Sequence, residues 1–168
     1  MTVKKLETQL WLSQPLEEIW EFHCDPQNLV KISPDFLKLS LENVPYPLAK
    51  GSKFQIHSEN RWLKNFFKWN VEYVDWHEEP DLKYFIDLQN SGPFESWRHK
   101  HEFKRGIKEV IVDDKKFPIK NEGTWLVDSV EYSLKPQLRK FGWVAEKVVT
   151  QLFVFRKRRL EKIFKRNA

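Results

Sequence analysis

His99 and His101 are separated by one residue within Trp97-Arg-His-Lys-His-Glu-Phe103. Residues two apart on a strand project the same way, about 7 Å apart along the backbone, so both imidazoles share a face with Trp97 and Phe103. The alternate positions Arg98, Lys100, Glu102 and Lys104 are all charged and belong to water. The histidines therefore face inward, among rings. Two imidazoles so placed can share a zinc ion if a third ligand arrives from another strand, and Asp128 or Asp87 has the right chemistry. They can also hydrogen-bond an inward carboxylate. The second reading is preferred, and no metal and no cofactor is expected.

Asp128 belongs to the alternating run Thr124, Leu126, Asp128, Val130 and Tyr132. A carboxylate on that inward face must be paired, hydrated or protonated, because desolvation disfavours its charge. An Asp–His pair in an aromatic pocket can act as a general base in cyclisation or dehydration, which makes His99, His101 and Asp128 the catalytic candidates. The competing reading, again preferred, is an internal hydrogen-bond network that fixes the sheet. Asp87 and Gln89 either join that network or lie on the outer face, and spacing alone leaves both open. Cys24 follows His23, but adjacent helix residues point roughly 100° apart, so an inert thiol is expected there.

The elements that must position these groups read mainly as strands. Lys4 to Ser13 alternates, with Leu6, Thr8, Leu10 and Leu12 on one face. Ser13-Gln-Pro15 predicts a helix start, with Ser13 as N-cap and Glu17 and Glu18 near the positive helix end. Asp25-Pro26 stops it and opens a second short helix, which Ser33-Pro34 ends. Strands are then predicted over Phe36 to Val44, Gly51 to Ser58 and Asn65 to Trp76. Two more, from Tyr84 to Phe103, are joined by a loop at Asn90-Ser-Gly-Pro93. Glu109 to Val112 and Lys116 to Ile119 flank Asp113-Asp114 as an extended hairpin, and Gly123 to Ser133 is the last strand. From Leu134 onward the period changes: Leu138, Phe141, Val144, Val148, Leu152 and Phe155 step by three and four, predicting an amphipathic helix of about seven turns.

Composition limits the classes. The 168 residues, 40% apolar, suit one domain over 1–168 with a substantial core. Eight Trp and 13 Phe exceed what a small core needs, and flat side chains often line cavities for apolar ligands. The net charge of +5 is mild and its signs are interspersed, which argues against a nucleic-acid partner. One cysteine, no apolar leader and no apolar run near the roughly 20 residues of a membrane-spanning helix point to a soluble, cytoplasmic protein. The basic run Arg156 to Arg159 reads as a solvated helix end. Oligomeric state has no signature.

Strand, two short helices, a run of antiparallel strands and one long C-terminal helix resembles the α+β helix-grip fold of the START/Bet v 1-like superfamily. The wording Pro15-Leu-Glu-Glu-Ile-Trp20, Asp25-Pro-Gln-Asn-Leu29 and Gly92-Pro-Phe-Glu-Ser-Trp-Arg-His-Lys-His-Glu-Phe103 is similar to bacterial SRPBCC proteins related to polyketide cyclase/dehydrase domains. Some of these carry a cell division inhibitor label. The resemblance implies a curved sheet wrapped around the last helix, with a cavity between them for a hydrophobic or amphipathic small molecule. The expected lining is Trp69, Tyr73, Trp97, His99, His101, Phe103, Asp128 and Tyr132, with Phe141, Val144 and Val148 from the helix. A binding protein without catalysis is the preferred reading. A cyclase- or dehydratase-like enzyme and an interaction protein linked to cell division are the alternatives.

Overall fold

The computed structural model describes residues 2–63, 67–110 and 119–165. The expected turn at Asp113-Asp114 and the start of the strand expected from Asn65 lie outside them. Seven antiparallel strands form one curved sheet: β1 (Lys4–Leu12), β2 (Leu39–Glu42), β3 (Lys53–Ser58), β4 (Lys68–Glu78), β5 (Leu82–Ser91), β6 (Ser96–Val110) and β7 (Ile119–Ser133). Their spatial order is β1-β7-β6-β5-β4-β3-β2. Only the β1–β7 neighbours are distant in sequence; the others are meander connections, the pairing that short loops permit. The β4–β5 pairing shifts twice, with Asn90 of β5 extra opposite Asn70/Val71 and Val74 of β4 extra between Tyr73 and Asp75, a device that bends a strand and raises its twist.

Helix α1 (Leu16–Cys24) and helix α2 (Gln27–Lys31) follow β1, and α3 (Gly142–Lys165) closes the chain. Leu16, Ile19 and Trp20, spaced by three and four, are the buried stripe of α1. Ser13 is not its cap. The helix begins later, with Pro15 at the N-cap and its carbonyl accepting from Ile19 N–H at 3.3 Å. Gln14 reaches elsewhere. Its Nε2 donates to the Phe164 carbonyl at 2.8 Å, while its own carbonyl accepts from Thr124 Oγ1 at 2.9 Å. It thereby satisfies one of the orphan carbonyls at the end of α3 and ties that end to β7.

The strand predicted over Phe36 to Val44 is shorter than its alternating leucines implied. Asp35–Leu37 forms a 3₁₀ turn, Lys38 takes a left-handed φ of 44°, and only Leu39–Glu42 pairs with β3. Hydrogen bonds explain the break: Asn60 Nδ2 donates to the Phe36 carbonyl at 2.8 Å, and the Ser58 hydroxyl donates to the Leu37 carbonyl. Side chains thus take the backbone acceptors that a strand would have offered to its neighbour.

Two apolar clusters lie on the inner face. The larger gathers Leu10, Leu12, Ile19, Trp20, Phe85 and Phe103 with Leu160 and Phe164 of α3. The smaller holds Trp97, Val130, Tyr132 and Leu134 with Val149 and Phe153. The buried stripe of α3 is therefore Val149, Phe153, Leu160 and Phe164. This corrects the expected phase. Phe141 and Val144 are exposed, Val148 is 53% exposed, and Trp143 beside them is 71% exposed. The helix carries apolar residues at two phases: Val144 and Val148 of the expected stripe face outward, while Leu152 and Phe155 are half-buried.

Candidate functional site

Register builds the polar centre of the inner face. Asp87 of β5 lies directly opposite His99 of β6, and Asp128 of β7 lies directly opposite His101. Each carboxylate therefore meets one histidine across the strand and the other diagonally, within reach of both. His99 Nε2 donates to Asp128 Oδ1 at 2.8 Å, and His101 Nε2 donates to Asp87 Oδ2 at 3.1 Å. The remaining nitrogens close the square: His99 Nδ1 is 3.6 Å from Asp87 Oδ2, and His101 Nδ1 is 3.2 Å from Asp128 Oδ1. The second of these lacks hydrogen-bond alignment, so His101 Nδ1 is buried without a partner among the described residues. The imidazoles lie against one another, ring centres 3.6 Å apart and planes inclined by 41°. All four side chains are buried.

Asp87 thus joins the network that spacing had left open. The four groups are wedged between the apolar clusters: Phe85 touches the His101 ring at 4.3 Å between centres, and Phe153 meets His99 edge-on at 5.2 Å. Burial in these surroundings, reinforced by the neighbouring His101, pushes His99 down to about 4, so its ring is neutral near pH 7. Burial also acts to lower His101, but its contacts with Asp128 and Asp87 outweigh it and hold this imidazole above its ordinary value. Burial would raise Asp128. The two histidines reverse that and keep its carboxyl well below the usual range. One sheet thus holds two imidazoles, two residues apart, displaced in opposite directions.

A cavity of about 130 Å³ adjoins this cluster. Trp69, Tyr73, Phe85 and Trp97 wall it from the sheet, Leu152, Phe153 and Arg156 from α3, and Leu29, Pro34 and Leu37 from the segment after α1. Asp87, His99, His101 and His23 are its polar lining near the sheet. Of the expected set, Trp69, Tyr73, Trp97, His99 and His101 line the cavity. Phe103, Asp128 and Tyr132 are buried behind it. Val144 and Val148 are outside it, because α3 turns that stripe to solvent, and Phe141 is outside it because it belongs to the exposed 3₁₀ segment Pro136–Phe141 before the helix.

The residue that sequence reasoning missed is Arg156. Its guanidinium lies 5.0 Å over the Phe153 ring, and its Nη1 is buried with no hydrogen-bond partner among the described residues. The rest of the basic run is not simply solvated. Lys157 Nζ donates to the Gln9 carbonyl at 2.9 Å, and Arg159 Nη2 reaches both oxygens of Asp35 at 2.8 and 2.9 Å. A cation inside the stripe Val149, Phe153, Arg156, Leu160 was the available signal, since burying one without a partner is costly.

The loop Gly92 to Glu95 is built around Gln89. Its Nε2 donates to the Phe94 carbonyl at 2.9 Å and its Oε1 accepts from Phe94 N–H at 3.3 Å. A Cβ on Gly92 would stand 2.3 Å from Gln89 Oε1, so glycine leaves room for that side chain. Phe94, thus placed, packs on Trp97 at 4.9 Å and Trp69 at 5.7 Å between ring centres. Burial pushes the Cys24 thiol up to about 12, which disfavours the reactive thiolate.

The architecture is the helix-grip fold, and solved structures share it. A norcoclaurine synthase point mutant from Thalictrum flavum, in complex with a transition-state analogue, superposes with a TM-score of 0.57 at 14% identity, over 96% of each chain. The di-domain aromatase/cyclase StfQ of the steffimycin biosynthetic pathway gives 0.61 at 11% identity, covering 98% of this chain and 51% of that one. Protein Ms6760 from Mycobacterium smegmatis gives 0.54 at 14%, over 100% and 99%. No protein-family model and no curated protein matches the sequence. At such identities the likeness carries the fold alone. No helix among the described residues is long and apolar enough to cross a membrane.

Proposed function

We propose that this chain binds an amphipathic small molecule between the sheet and α3, with an apolar body and one anionic or strongly hydrogen-bond-accepting end. The observation that carries the reading is Arg156, a cation on the wall of an aromatic cavity whose buried Nη1 has no partner among the described residues. An apolar ligand alone would leave that group unpaired, whereas a carboxylate would meet it with charge-assisted hydrogen bonds. The volume limits size. About 130 Å³ is close to the roughly 150 Å³ of an engineered cavity that holds benzene, so one ring or a short chain fits inside. The motif resemblance to bacterial SRPBCC proteins supports the same class.

The test is binding of a phenyl-substituted carboxylate, and of the neutral alcohol of the same skeleton, followed by tryptophan fluorescence. The carboxylate should bind more tightly, and Arg156→Gln should remove its advantage while leaving the alcohol unchanged. Equal affinity for both in the parent chain would sink the reading. Native mass spectra before and after denaturation would reveal a co-purified ligand directly.

One observation favours a catalytic reading as well. A neutral His99 with its Nε2–H on a buried carboxylate is an oriented base, and it borders the cavity. Asp128 does not line the cavity and would act as a positioning residue. Unchanged turnover of any substrate by the His101→Ala, Asp128→Asn double variant would eliminate this second reading.

A further inference from the structure

The Asp87 side of the four-residue square has the electrostatics of a cation site. His99 commits its Nε2–H to Asp128 at 2.8 Å, so its Nδ1 presents a lone pair towards Asp87 Oδ2, 3.6 Å away. Two electron-rich atoms face one another there with no proton between them. His101 Nε2 approaches the same oxygen at 3.1 Å. One donor atom from each of these three residues lies within 4.8 Å of the other two. Bonds of about 2.0–2.2 Å to a tetrahedral ion imply ligand separations of roughly 3.4 Å, a value that 3.1 and 3.6 Å bracket.

We infer that Asp87 Oδ2, His99 Nδ1 and His101 Nε2 form a site for a divalent transition-metal ion, zinc being the best match to two imidazoles and one carboxylate. Asp128 then completes it from behind. Metal ligation at one ring nitrogen calls for an anionic acceptor at the other. Here both opposite nitrogens, His99 Nε2 and His101 Nδ1, stand 2.8 and 3.2 Å from the same Asp128 oxygen. Coordination displaces the His101 Nε2 proton to solvent and leaves a proton on Nδ1. That gives the buried, unpartnered Nδ1 a reason to face Asp128. Charge agrees, since one dication neutralises two buried carboxylates. Asp87, His99 and His101 line the cavity while Asp128 does not, so the fourth coordination position opens towards the cavity. The site does not depend on the ligand proposed above: probe binding and metal binding are separate measurements, and either can fail alone.

The experiment is a Co²⁺ titration of the chelator-stripped full chain, followed by the visible absorption of four-coordinate cobalt, with Zn²⁺ as competitor. Saturation at one equivalent, reversed by Zn²⁺, is expected. Asp87→Ala should weaken binding by more than about a hundredfold, and Asp128→Asn, acting through the histidines, by about 10- to 100-fold. Folding of each variant is checked by circular dichroism. Nitrogen NMR of the imidazoles in the unmutated chain supplies a reading that needs no variant: Zn²⁺ should move the ring signals of His99 and His101. Absence of a saturable cobalt spectrum overturns the proposal. So does a spectrum that is lost in a His57→Ala, His77→Ala chain and kept in Asp87→Ala, or Zn²⁺ that leaves both ring signals in place.

Discussion

Replacing Asp128 by Asn isolates what the buried charge does, because the side chain keeps its shape. The carboxylate is 6% exposed and accepts from His99 Nε2 at 2.8 Å, with His101 Nδ1 at 3.2 Å. Asn can still accept from His99, so the hydrogen bond survives as a neutral one and loses roughly half its strength. What goes is the negative charge that compensates His101, and breaking a buried pair from one side costs about 3–5 kcal/mol. With one acceptor retained, the lower end applies, about 3 kcal/mol. For 168 residues at about 2.1 cal/mol/K each, the unfolding entropy is roughly 0.35 kcal/mol/K, so the melting temperature should fall by about 8 °C. Urea unfolding in chelator-containing buffer reads the loss directly, with the slope unchanged. Glu131→Gln, which breaks the exposed pair with Lys5, is the control and should barely move the urea midpoint. If Asp128→Asn costs no more than the control, the square is not a coupled charge network.

Burial holds His23 at about 4, against 6.5 when unfolded, while its Nδ1–H donates to the Ile19 carbonyl at 2.7 Å. The unfolded chain therefore takes up the proton first: stability is complete above pH 6.5 and falls as pH drops towards 4, by at most about 3 kcal/mol. His23→Gln should remove its share of that slope in chemical unfolding measured across this window, leaving the share of His99, which burial also holds at about 4. Gly92→Ala should cost about 1–2 kcal/mol by displacing Gln89 from its bonds to Phe94, and far less in a Gln89→Ala background; additive losses in the double-mutant cycle would refute the link. Val148→Ala should leave unfolding within about 0.5 kcal/mol, whereas Leu160→Ala should cost about 2–5 kcal/mol; a reversed order would contradict the phase of α3.

The sheet was legible wherever one face is wet. Trp97 to Phe103 alternates cleanly because its outer residues are charged; Thr124 to Tyr132 has Ser129 and Glu131 outside but also Trp125 and Val127, and in both runs all the inward positions are buried as read. The meeting of Asp87 and Asp128 with the histidines was only half visible, because it depends on strand register, which a single strand's alternation does not contain. The helix failed for a different reason. Val144 and Val148 are as apolar as Val149 and Phe153, so hydrophobicity alone offers two phases, and the decision comes from how α3 meets β7. Trp97 shows how lining and core overlap. It walls the cavity and also belongs to the smaller apolar cluster, so Trp97→Ala costs about 3–5 kcal/mol and is a poor probe of ligand uptake.

The two halves of α3 are held very unequally. Leu160 and Phe164 are sunk in the larger cluster and Gln14 clamps the last turn, while the first two turns rest on Ala145 and the Lys4–Glu146 ion pair. Local opening should therefore begin at Gly142 and run towards Leu152, with the far end still closed. Leu152 and Phe153 form part of the cavity wall. Fraying of the helix from its near end would therefore uncover the cavity at Leu152 before the sheet comes apart, and for the ligand proposed above that opening free energy would set the exchange rate.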